Sequence, residues 1–440
     1  MSSVLGVSLP KSWSSAPLKH VTSLLNRGAA PTYVDDGQVR VIGQAANQAA
    51  GLNWNRTRFH EFDGDPRHLK GYLLPNDVLI NSTGTGTLGR VGYFIGAPDD
   101  SPCVADGHIT VARATDKKLH PRFAFYWLAS KAFKDYASAA LVVGATNQIE
   151  LSRDRLGNAP VPLPPLEEQR RIADFLDTET TRIDRMREAT ARQVALMAER
   201  FKELVRQETT VGIGPSIPTG VVWMPRMNHE WRLGKISHEF CTGSGTTPTS
   251  SNENYFNGPH SWVNSADLND GLVSHTEKSV TEEALADFSA LNIYPTGSLI
   301  VALYGQGATK GRVGILGIDA CLNQACCALI PIGEISVEFA HYWFRGHKDG
   351  IITLAVGAGQ PNLSQELIRQ LRIPIPNEEH QRLIVENLHA EEQRWQRQSA
   401  LLRNRGELLD ERRQALITAA VTGQVDVSAA VQRPPNSLSS

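Results

Sequence analysis

Two stretches of this sequence carry residue types whose spacing could support chemistry. The glycines of GTGTLG at 84–89 fit the GxGxxG pattern of dinucleotide-binding loops, in which a helix begins at the loop and its N-terminus holds a pyrophosphate. Asp99 and Asp116, with Lys117 and Lys118, fit a nuclease pattern in which two carboxylates and a lysine hold Mg²⁺ and activate water. The sequence has no HExxH metal motif, no GxSxG nucleophile elbow and no paired His/Cys cluster.

The surrounding residues decide against both sites. RVGYFIG at 90–96 follows the glycines and is typical of a strand, so we interpret 84–89 as a glycine-rich hairpin loop. The second half of the chain has no equivalent of the two aspartates, which favours solvated loop charges. We therefore predict that this chain is not an enzyme and binds no metal or cofactor itself.

The composition indicates an ordinary multidomain protein. At roughly 100–200 residues per domain, the 440 residues predict two to four domains. The net charge of −2 gives no indication of a nucleic-acid partner. No apolar run reaches the roughly 18 residues of a membrane span, and the N-terminal sequence lacks a signal-peptide pattern. Five cysteines without a CxxC pair suit a reducing compartment. We expect a cytoplasmic protein without membrane contact.

The chain is an internal duplication. Its offset of 212 positions holds without a gap from Leu151 and Leu363 onward through both C-terminal segments of the repeat. Three motifs occur twice: VPLPPLEEQ at 161–169 and IPIPNEEHQ at 373–381, GRVG at 89–92 and 311–314, and FAFYWL at 123–128 and FAHYWF at 339–344. One unit is thus a globular part followed by a helical part.

Each helical part carries a heptad pattern, which indicates coiled-coil packing of two helices about 60 Å long. The shared offset predicts antiparallel pairing. The expected pairs are Leu176–Leu416, Ile183–Leu409, Thr190–Leu402, Met197–Trp395 and Leu204–Leu388. The alternative is two amphipathic helices that each pack on their own globular domain.

The fold class expected is α+β, with two pseudo-repeated mixed α/β domains joined by two long antiparallel coiled-coil helices. Short β-branched stretches alternate with Gly, Asn and Pro turns in both globular parts. The predicted boundaries are 1–163 for the first domain, 164–211 for the first helix, 212–376 for the second domain, 377–424 for the second helix and 425–440 for a flexible tail.

The doubled motifs resemble the DNA-specificity subunit of type I restriction–modification systems. The resemblance covers nearly the whole chain. It is carried by PLPPLEEQRRI at 162–172, PIPNEEHQRLI at 374–384, the GRVG segments, GTTPTSSNENYFNG with SWVNSADL within 245–268, and ELLDERRQALITAAVTGQVDV at 407–427. The first half departs from the usual opening, since RGAAPTYVDDGQVRVIGQA at 27–45 lacks the TPS-like and tryptophan signature.

The resemblance implies a sequence-specific DNA-binding subunit. Each globular domain would be a target-recognition domain that reads one half of a bipartite sequence in double-stranded DNA. The antiparallel helices would act as spacer and as docking surface for two modification (methyltransferase) subunits, with restriction (translocase and endonuclease) subunits as further partners. S-adenosylmethionine and the adenine-N6 chemistry would belong to the modification subunit, and cleavage to the restriction subunit.

Base contacts require polar side chains on loops that reach base edges. The candidates lie beside the repeated glycine turns. They are Arg40, Gln44, Asn47, Asn55, Arg56, Arg90, Asn147 and Gln148 in the first domain, and Thr247, Asn264, Ser265, Tyr304, Gln306, Lys310, Arg312, Gln360 and Asn362 in the second. For each of them a turn or capping role is the alternative. Arg90 and Arg312 occupy matched positions, so we interpret them as structural or phosphate-contacting residues, because base readers should differ between the halves.

Two other classes of function stay open at this point. A stand-alone Mg²⁺-dependent nuclease would depend on Asp99 and Asp116. A structural coiled-coil adaptor would bind proteins through its globular ends and show no sequence-dependent affinity for DNA.

Overall fold

A computed structural model describes residues 3–48, 51–84, 86–115, 117–144, 149–305, 309–355 and 361–427. The chain divides into two compact units. The first comprises Met1–Thr190 and Asn404–Ser440, and the second comprises Ala191–Arg403. Among the described residues, no helix is long and apolar enough to cross a membrane.

The helices that end each half of the chain follow the same order. An aromatic helix precedes a short helix, and the long helix comes last. The α-helices are α1 (Pro121–Ala129), α2 (Lys131–Tyr136), α3 (Arg153–Gly157), α4 (Leu166–Glu208), α5 (Ile236–Glu239), α6 (Glu282–Asp287), α7 (Val337–Ile352), α8 (Gln365–Gln370) and α9 (Glu378–Val421). Short 3₁₀ segments lie at Leu18–His20, Trp54–Arg56, Pro66–His68 and Glu253–Tyr255, and a π-helical turn at Ala137–Leu141.

The strands of the first unit are short. In chain order they are β1 (Ser3–Val4), β2 (Val7–Ser8), β3 (Ser14–Pro17), β4 (Thr22–Arg27), β5 (Tyr33–Val34), β6 (Val39–Ile42), β7 (Asn47–Gln48), β8 (Gly51–Leu52), β9 (Arg58–His60), β10 (Val78–Asn81), β11 (Val91–Tyr93), β12 (Cys103–Ala105), β13 (Ile109–Ala114), β14 (Val142–Val143), β15 (Glu150–Leu151) and β16 (Pro160–Leu163).

Two four-stranded sheets form the body of the first unit. One has the order β11-β10-β13-β4 and is antiparallel throughout. The other has the order β12-β6-β9-β5, in which β12 and β6 run parallel. A separate ribbon pairs β3 with β16, the strand that leads into α4. β10 and β13, the central strands of the first sheet, are largely buried because they are rich in Val, Ile and Leu.

The second unit repeats this plan. Its strands are β17 (Ser216–Val221), β18 (Met224–Asn228), β19 (Arg232–Lys235), β20 (Phe240–Ser244), β21 (Phe256–Val263), β22 (Leu272–Val273), β23 (Ser279–Val280), β24 (Ile293–Tyr294), β25 (Leu299–Ala302), β26 (Val313–Leu316), β27 (Ala320–Leu322), β28 (Cys326–Pro331) and β29 (Arg372–Ile375).

The sheets of the second unit correspond to those of the first. The order β20-β28-β25-β26 matches β4-β13-β10-β11, with β22 added at the edge. The parallel pair β21–β27 matches β6–β12, and the ribbon β19–β29 matches β3–β16. The expected fold class is confirmed: two pseudo-repeated mixed α/β parts, each followed by a long helix.

A buried glutamine explains why the proline-glutamate-glutamine motif occurs twice. Gln169 lies in the first turn of α4, where its Nε2 donates to the carbonyls of Lys118 and Pro164 and its Oε1 accepts from the backbone N–H of His120. Gln381 makes the equivalent bonds at the start of α9, to Ser336 among others. The motif therefore ties each long helix to the N-terminus of the aromatic helix, α1 or α7.

Within each unit the two long helices pack against each other in opposite directions. In the first unit, the early part of α4 faces the late part of α9, with ion pairs Asp184–Arg413 at 3.1 Å and Arg187–Asp410 at 2.6 Å. In the second unit, Phe201 near the end of α4 stacks on Trp395 near the start of α9, with ring centroids 5.3 Å apart. The antiparallel arrangement is confirmed, and the alternative of two unpaired helices is wrong.

The heptad positions are the sheltered ones on these helices. Leu176, Ile183, Thr190, Leu388 and Leu409 are buried, and Met197, Leu204, Trp395, Leu402 and Leu416 are half-buried. Leu176 and Leu416 join the core of the first unit, and Leu204 and Leu388 join that of the second. Trp395 stacks one helical turn away from its expected partner Met197, on Phe201. The individual pairs otherwise stay predictions.

The core of the first unit draws on both ends of the chain. Trp13, from the segment before β3, and Ile172, from α4, are buried in one cluster with Ile417 and Val421 of α9 and Val427 beyond it. The core of the second unit is built from α7, β25, β28 and the neighbouring ends of α4 and α9. Each helix pair is therefore continuous with the core of a globular part.

Candidate functional site

Three loops lie together at equivalent places in the two units, and we call each set a loop cluster. In the first unit the loop cluster comprises residues 43–48, 82–84, 86–90 and 106–109. In the second unit it comprises residues 264–270, 303–305, 309–312 and 323–326. Of the 13 described residues that were predicted to contact DNA, 8 lie in these loops.

The first loop of interest is the glycine-rich connection within a hairpin. β10 and β11 pair antiparallel across it, which confirms a hairpin and rules out the strand-to-helix geometry of a dinucleotide site. Gly89 and Gly311 have φ of 73° and 72°, and their N–H groups donate to Asn81 and Ala302 at 2.8 Å in both cases. A glycine is required at this left-handed position, so the two hairpins have the same local backbone conformation.

The second loop is a four-residue turn with the same hydrogen bonds in both units. In the first unit the turn begins at Asp106, whose carbonyl accepts from Ile109 N–H at 3.1 Å and whose side chain accepts from His108 N–H at 2.8 Å. In the second it begins at Asn323, whose carbonyl accepts from Cys326 N–H at 3.2 Å and whose side chain accepts from Ala325 N–H at 3.0 Å. An Asx side chain locks both turns.

The turn and the hairpin are joined by matching backbone bonds. Ser82 N–H donates to the carbonyl of His108 at 2.8 Å, and Leu303 N–H donates to that of Ala325 at 2.7 Å. The loop clusters are therefore the same scaffold built twice. The side chains on this scaffold differ, for example Thr83 where the second unit has Tyr304.

In the first unit, the predicted contact residues fall into two groups. Arg40 and Asn47 are held inside: Arg40 pairs with Asp99, donates to Thr57 Oγ1 at 2.8 Å and stacks on Phe59, whereas buried Asn47 donates to Asn81 Oδ1 at 2.8 Å. In this conformation both side chains position the loops rather than face solvent.

The other predicted residues of the first unit are more accessible. Gln44 accepts from Thr87 Oγ1 at 3.3 Å, which joins two loops of the cluster. Asn55 and Arg56 are exposed on a 3₁₀ segment. Arg90 donates to the carbonyl of Asn47 and to Gln48 Oε1, both at 3.2 Å. Asn147 and Gln148 lie outside the described residues.

In the second unit the predicted residues converge more closely. Asn264 Oδ1 accepts from Asn323 Nδ2 at 3.0 Å, and exposed Thr247 donates to Gln324 Oε1. Ser265 Oγ lies 3.0 Å from the point that a Cβ on Gly305 would occupy.

The remaining predicted residues of the second unit border this group. Tyr304 and Arg312 are half-buried on the hairpin, Lys310 donates to the carbonyl of Pro361, and Asn362 is exposed. Gln306 and Gln360 lie outside the described residues.

Sequence reasoning missed three polar residues of the turns, which are His108, Asn323 and Gln324. His108 and Gln324 are exposed there, and Thr83 Oγ1 lies 2.7 Å from His108 Nδ1. Asn323 joins the turn to Asn264. The signal that was available is the pattern of a buried strand, a short polar turn and another buried strand in both repeats, as in LNQACC.

Two charged groups beside the loop clusters have shifted pKa values. Burial raises the pKa of Asp106, which accepts from Tyr33 Oη at 3.3 Å. The hydrogen bond from Arg40 lowers the pKa of Asp99 to about 2. Asp99 therefore serves to hold Arg40, and Asp116, its expected nuclease partner, lies outside the described residues. Within the described ranges no group of three His, Cys, Asp or Glu residues is placed to hold a metal ion.

Matched hydrogen-bonded ion pairs, which we call clamps, fix the aromatic helices to the long helices. Asp177 of α4 accepts from Arg122 Nε at 2.7 Å and from Tyr126 Oη. Glu392 of α9 accepts from Tyr342 Oη at 2.9 Å and pairs with Arg345. Each globular part is thus oriented on its helices by a charged pair and a phenol.

Comparison with known proteins finds one family over both halves. The family described as "Type I restriction modification DNA specificity domain" matches residues 29–192 and 228–397. The chain is 28% identical over 163 residues to the type I restriction enzyme EcoR124I/EcoR124II specificity subunit of Escherichia coli, covering 36% of this chain and 40% of that subunit. It is 21% identical over 374 residues to the putative type I restriction enzyme MjaX specificity subunit of Methanocaldococcus jannaschii, covering 81% and 80%.

The match to the Escherichia coli subunit thus spans two fifths of that relative's length. A similar fold occurs in a solved structure described as the basis of complex assembly and conformational transition of the type I R-M system. That chain superposes with a TM-score of 0.73 at 19% identity, covering 95% of this chain and 100% of the other.

Proposed function

This chain belongs to the family of type I restriction–modification DNA specificity domains, and from that premise we propose that it is the subunit that recognises the DNA target. Each globular part reads one half of a bipartite sequence in double-stranded DNA. The chain itself carries out no chemistry.

The observation that carries the proposal is the loop cluster built twice. The turn at Asp106 and the turn at Asn323 have the same backbone hydrogen bonds, yet they present His108 in one unit and Gln324 in the other. A common scaffold with different polar side chains is what two readers of different sequences require. A stand-alone nuclease or a protein adaptor does not explain that pattern.

We further propose that two modification subunits bind this chain and hold S-adenosylmethionine and the adenine-N6 methyltransferase site. Restriction subunits would join that complex and cleave. Leu196 and Leu408 support the pair of docking sites, because they occupy matched positions on α4 and α9 and are 63% and 55% exposed. Exposed leucines at two equivalent positions on one chain suit two copies of one partner.

The docking proposal can be tested by counting subunits. Leu196→Gln and Leu408→Gln should each reduce the number of modification subunits per chain from two to one, as measured by native mass spectrometry. Glu199→Gln, an exposed change one turn further along α4, is the matched control and should leave two. Two bound subunits in both leucine variants would refute this placement.

The recognition proposal is tested by mapping N6-methyladenine in the host genome with the gene intact and deleted. One bipartite motif should lose its methylation on deletion. Exchanging residues 212–376 for those of another family member, with the modification subunit expressed, should then change one half of the motif and leave the other intact. A change in both halves, or none in a strain that expresses the modification subunit, would contradict the proposal.

A further inference from the structure

The turn between β27 and β28 presents one side chain to solvent from a rigid frame. The Asn323 side chain stabilises this turn, since its Oδ1 accepts from Ala325 N–H and its Nδ2 donates to Asn264 Oδ1, both at 3.0 Å. The backbone of Asn323 donates to Val263 at 3.0 Å, which anchors the turn on the parallel strand pair. Gln324, the next residue, is exposed.

The amide of Gln324 is oriented before any ligand arrives. Thr247 Oγ1 donates to its Oε1, which identifies the oxygen side of the amide and leaves a second lone pair on that oxygen. On the neighbouring hairpin, burial raises the pKa of the Tyr304 phenol, and the side chain of Gln324 partly offsets that rise. An exposed amide held in one orientation loses little side-chain freedom on binding.

We propose that Gln324 is a specificity-determining residue that reads an adenine through its major-groove edge in one half of the DNA target. This inference rests on the proposed recognition function. A glutamine amide matches adenine because it accepts from N6 and donates to N7 at the same time. Asn323 is less exposed than Gln324, and the two bonds of its amide hold the turn in place.

The first unit shows why the two halves read different bases at this point. Its equivalent of Gln324 is Gly107, which has no side chain, and the turn there presents His108 instead. The backbone bonds of the two turns are otherwise the same. Different side chains on a shared frame therefore separate the two specificities.

The test is selection from randomised DNA duplexes by the full chain purified together with its modification subunits. The half-site of the second unit is first assigned with the exchange of residues 212–376. Gln324→Ala should reduce the preference for adenine at one position of that half-site by about 5- to 150-fold, the range expected for loss of one bidentate pair. Preferences at all other positions should stay unchanged.

A second variant separates base reading from general damage. Gln324→Glu should move the preference at the same position from adenine to cytosine, because a carboxylate accepts from cytosine N4 but cannot donate to adenine N7. Gln370→Ala, an exposed glutamine on α8, is the matched control and should keep the full wild-type motif. His108→Ala should leave the second unit's half-site unchanged.

The outcomes distinguish this inference from the function on which it rests. If the wild-type complex selects no sequence, the recognition function itself fails. If the wild type selects a bipartite motif but Gln324→Ala retains every base preference, only the role of Gln324 is overturned. A loss at a base other than adenine, or in the half-site of the first unit, overturns it as well.

Discussion

The clamp at Glu392 allows a quantitative test of how the second unit is held on its helices. Glu392 accepts from Arg345 Nη1 at 3.2 Å and from Tyr342 Oη at 2.9 Å, and the side chains of Glu392 and Arg345 are 14% and 15% exposed. Glu392→Gln preserves the shape of the side chain and removes its charge. Arg345 then keeps its charge in a sheltered site over the rings of Phe201 and Tyr342 but loses its anionic partner.

The expected cost follows from that partial burial. Removing one partner of a fully buried pair costs about 3–5 kcal/mol, but here solvent reaches the pair and the glutamine still accepts from Tyr342. We therefore expect a loss of about 2–3 kcal/mol in the free energy of unfolding of the second unit. For a unit of this size that corresponds to a fall of about 4–12 °C in Tm.

The same clamp has a pH signature. Burial raises the pKa of Glu392, but the hydrogen bonds and charge of Arg345 outweigh it and lower the pKa below its usual value. A carboxyl with a lowered folded pKa stabilises the protein above its unfolded pKa, and this stability is lost as the pH falls through the folded pKa. The difference between wild type and Glu392→Gln should therefore shrink on acidification below the ordinary range of glutamate.

The assay is urea unfolding of the full chain, monitored through hydrogen exchange of the α7 amides. A double-mutant cycle adds Arg345→Met. The cycle should give a coupling of at least about 1 kcal/mol, because the two side chains touch. Asp177→Asn is the matched variant and should destabilise the first unit instead. A Glu392→Gln protein within about 0.5 kcal/mol of wild type, or additive effects in the cycle, would refute the reasoning.

Three further predictions concern other parts of the chain. Arg90→Ala should weaken binding to all duplexes alike and lower the slope of log affinity against log salt by about 1 if Arg90 contacts a phosphate; a loss at one base position in duplex selection would contradict this. Burial lowers the pKa of His341 to about 4, with Arg345 adding to the effect, so the unfolded state binds more protons between that value and the ordinary pKa. The Tm of the second unit should fall as pH drops through this window, and less so in His341→Gln by calorimetry. Gly406→Ala should raise stability by about 0.5–1 kcal/mol in urea titrations, because Gly406 lies inside α9 with open space at its Cβ; unchanged stability would count against it.

Much of the architecture was predictable because repeated motifs and regular residue spacings indicate it. The recurrence of the glutamine motif predicted two similar units, and the buried bonds of Gln169 and Gln381 explain why that motif recurs. The strand after Gly89 predicted a hairpin where the glycine pattern alone favoured a nucleotide loop. The heptads predicted that the long helices pair, since a spacing of seven residues gives a narrow apolar seam for a partner helix, and the shared offset predicted that they run antiparallel.

The roles of individual site residues were less predictable, because they depend on contacts distant in sequence. Arg40 has the residue type of a DNA contact, but Asp99 and Phe59 hold it in place. Asn47 is buried under the hairpin for a similar reason. Gln324 was not predicted, since only the bond from Thr247, 77 positions earlier, shows that its amide is oriented.

The shared core of Trp13, Ile172 and Ile417 determines the order in which the two units can fold during synthesis. The second unit is continuous from 191 to 403, so a nascent chain can complete its core while translation is still in progress. The first unit must wait for Ile417 and Val421 to leave the ribosome, although its β-strands are made first. Until then the apolar face of α4 around Leu176 stays open to chaperones, so a premature stop after Arg403 would harm the part of the chain that was translated earliest.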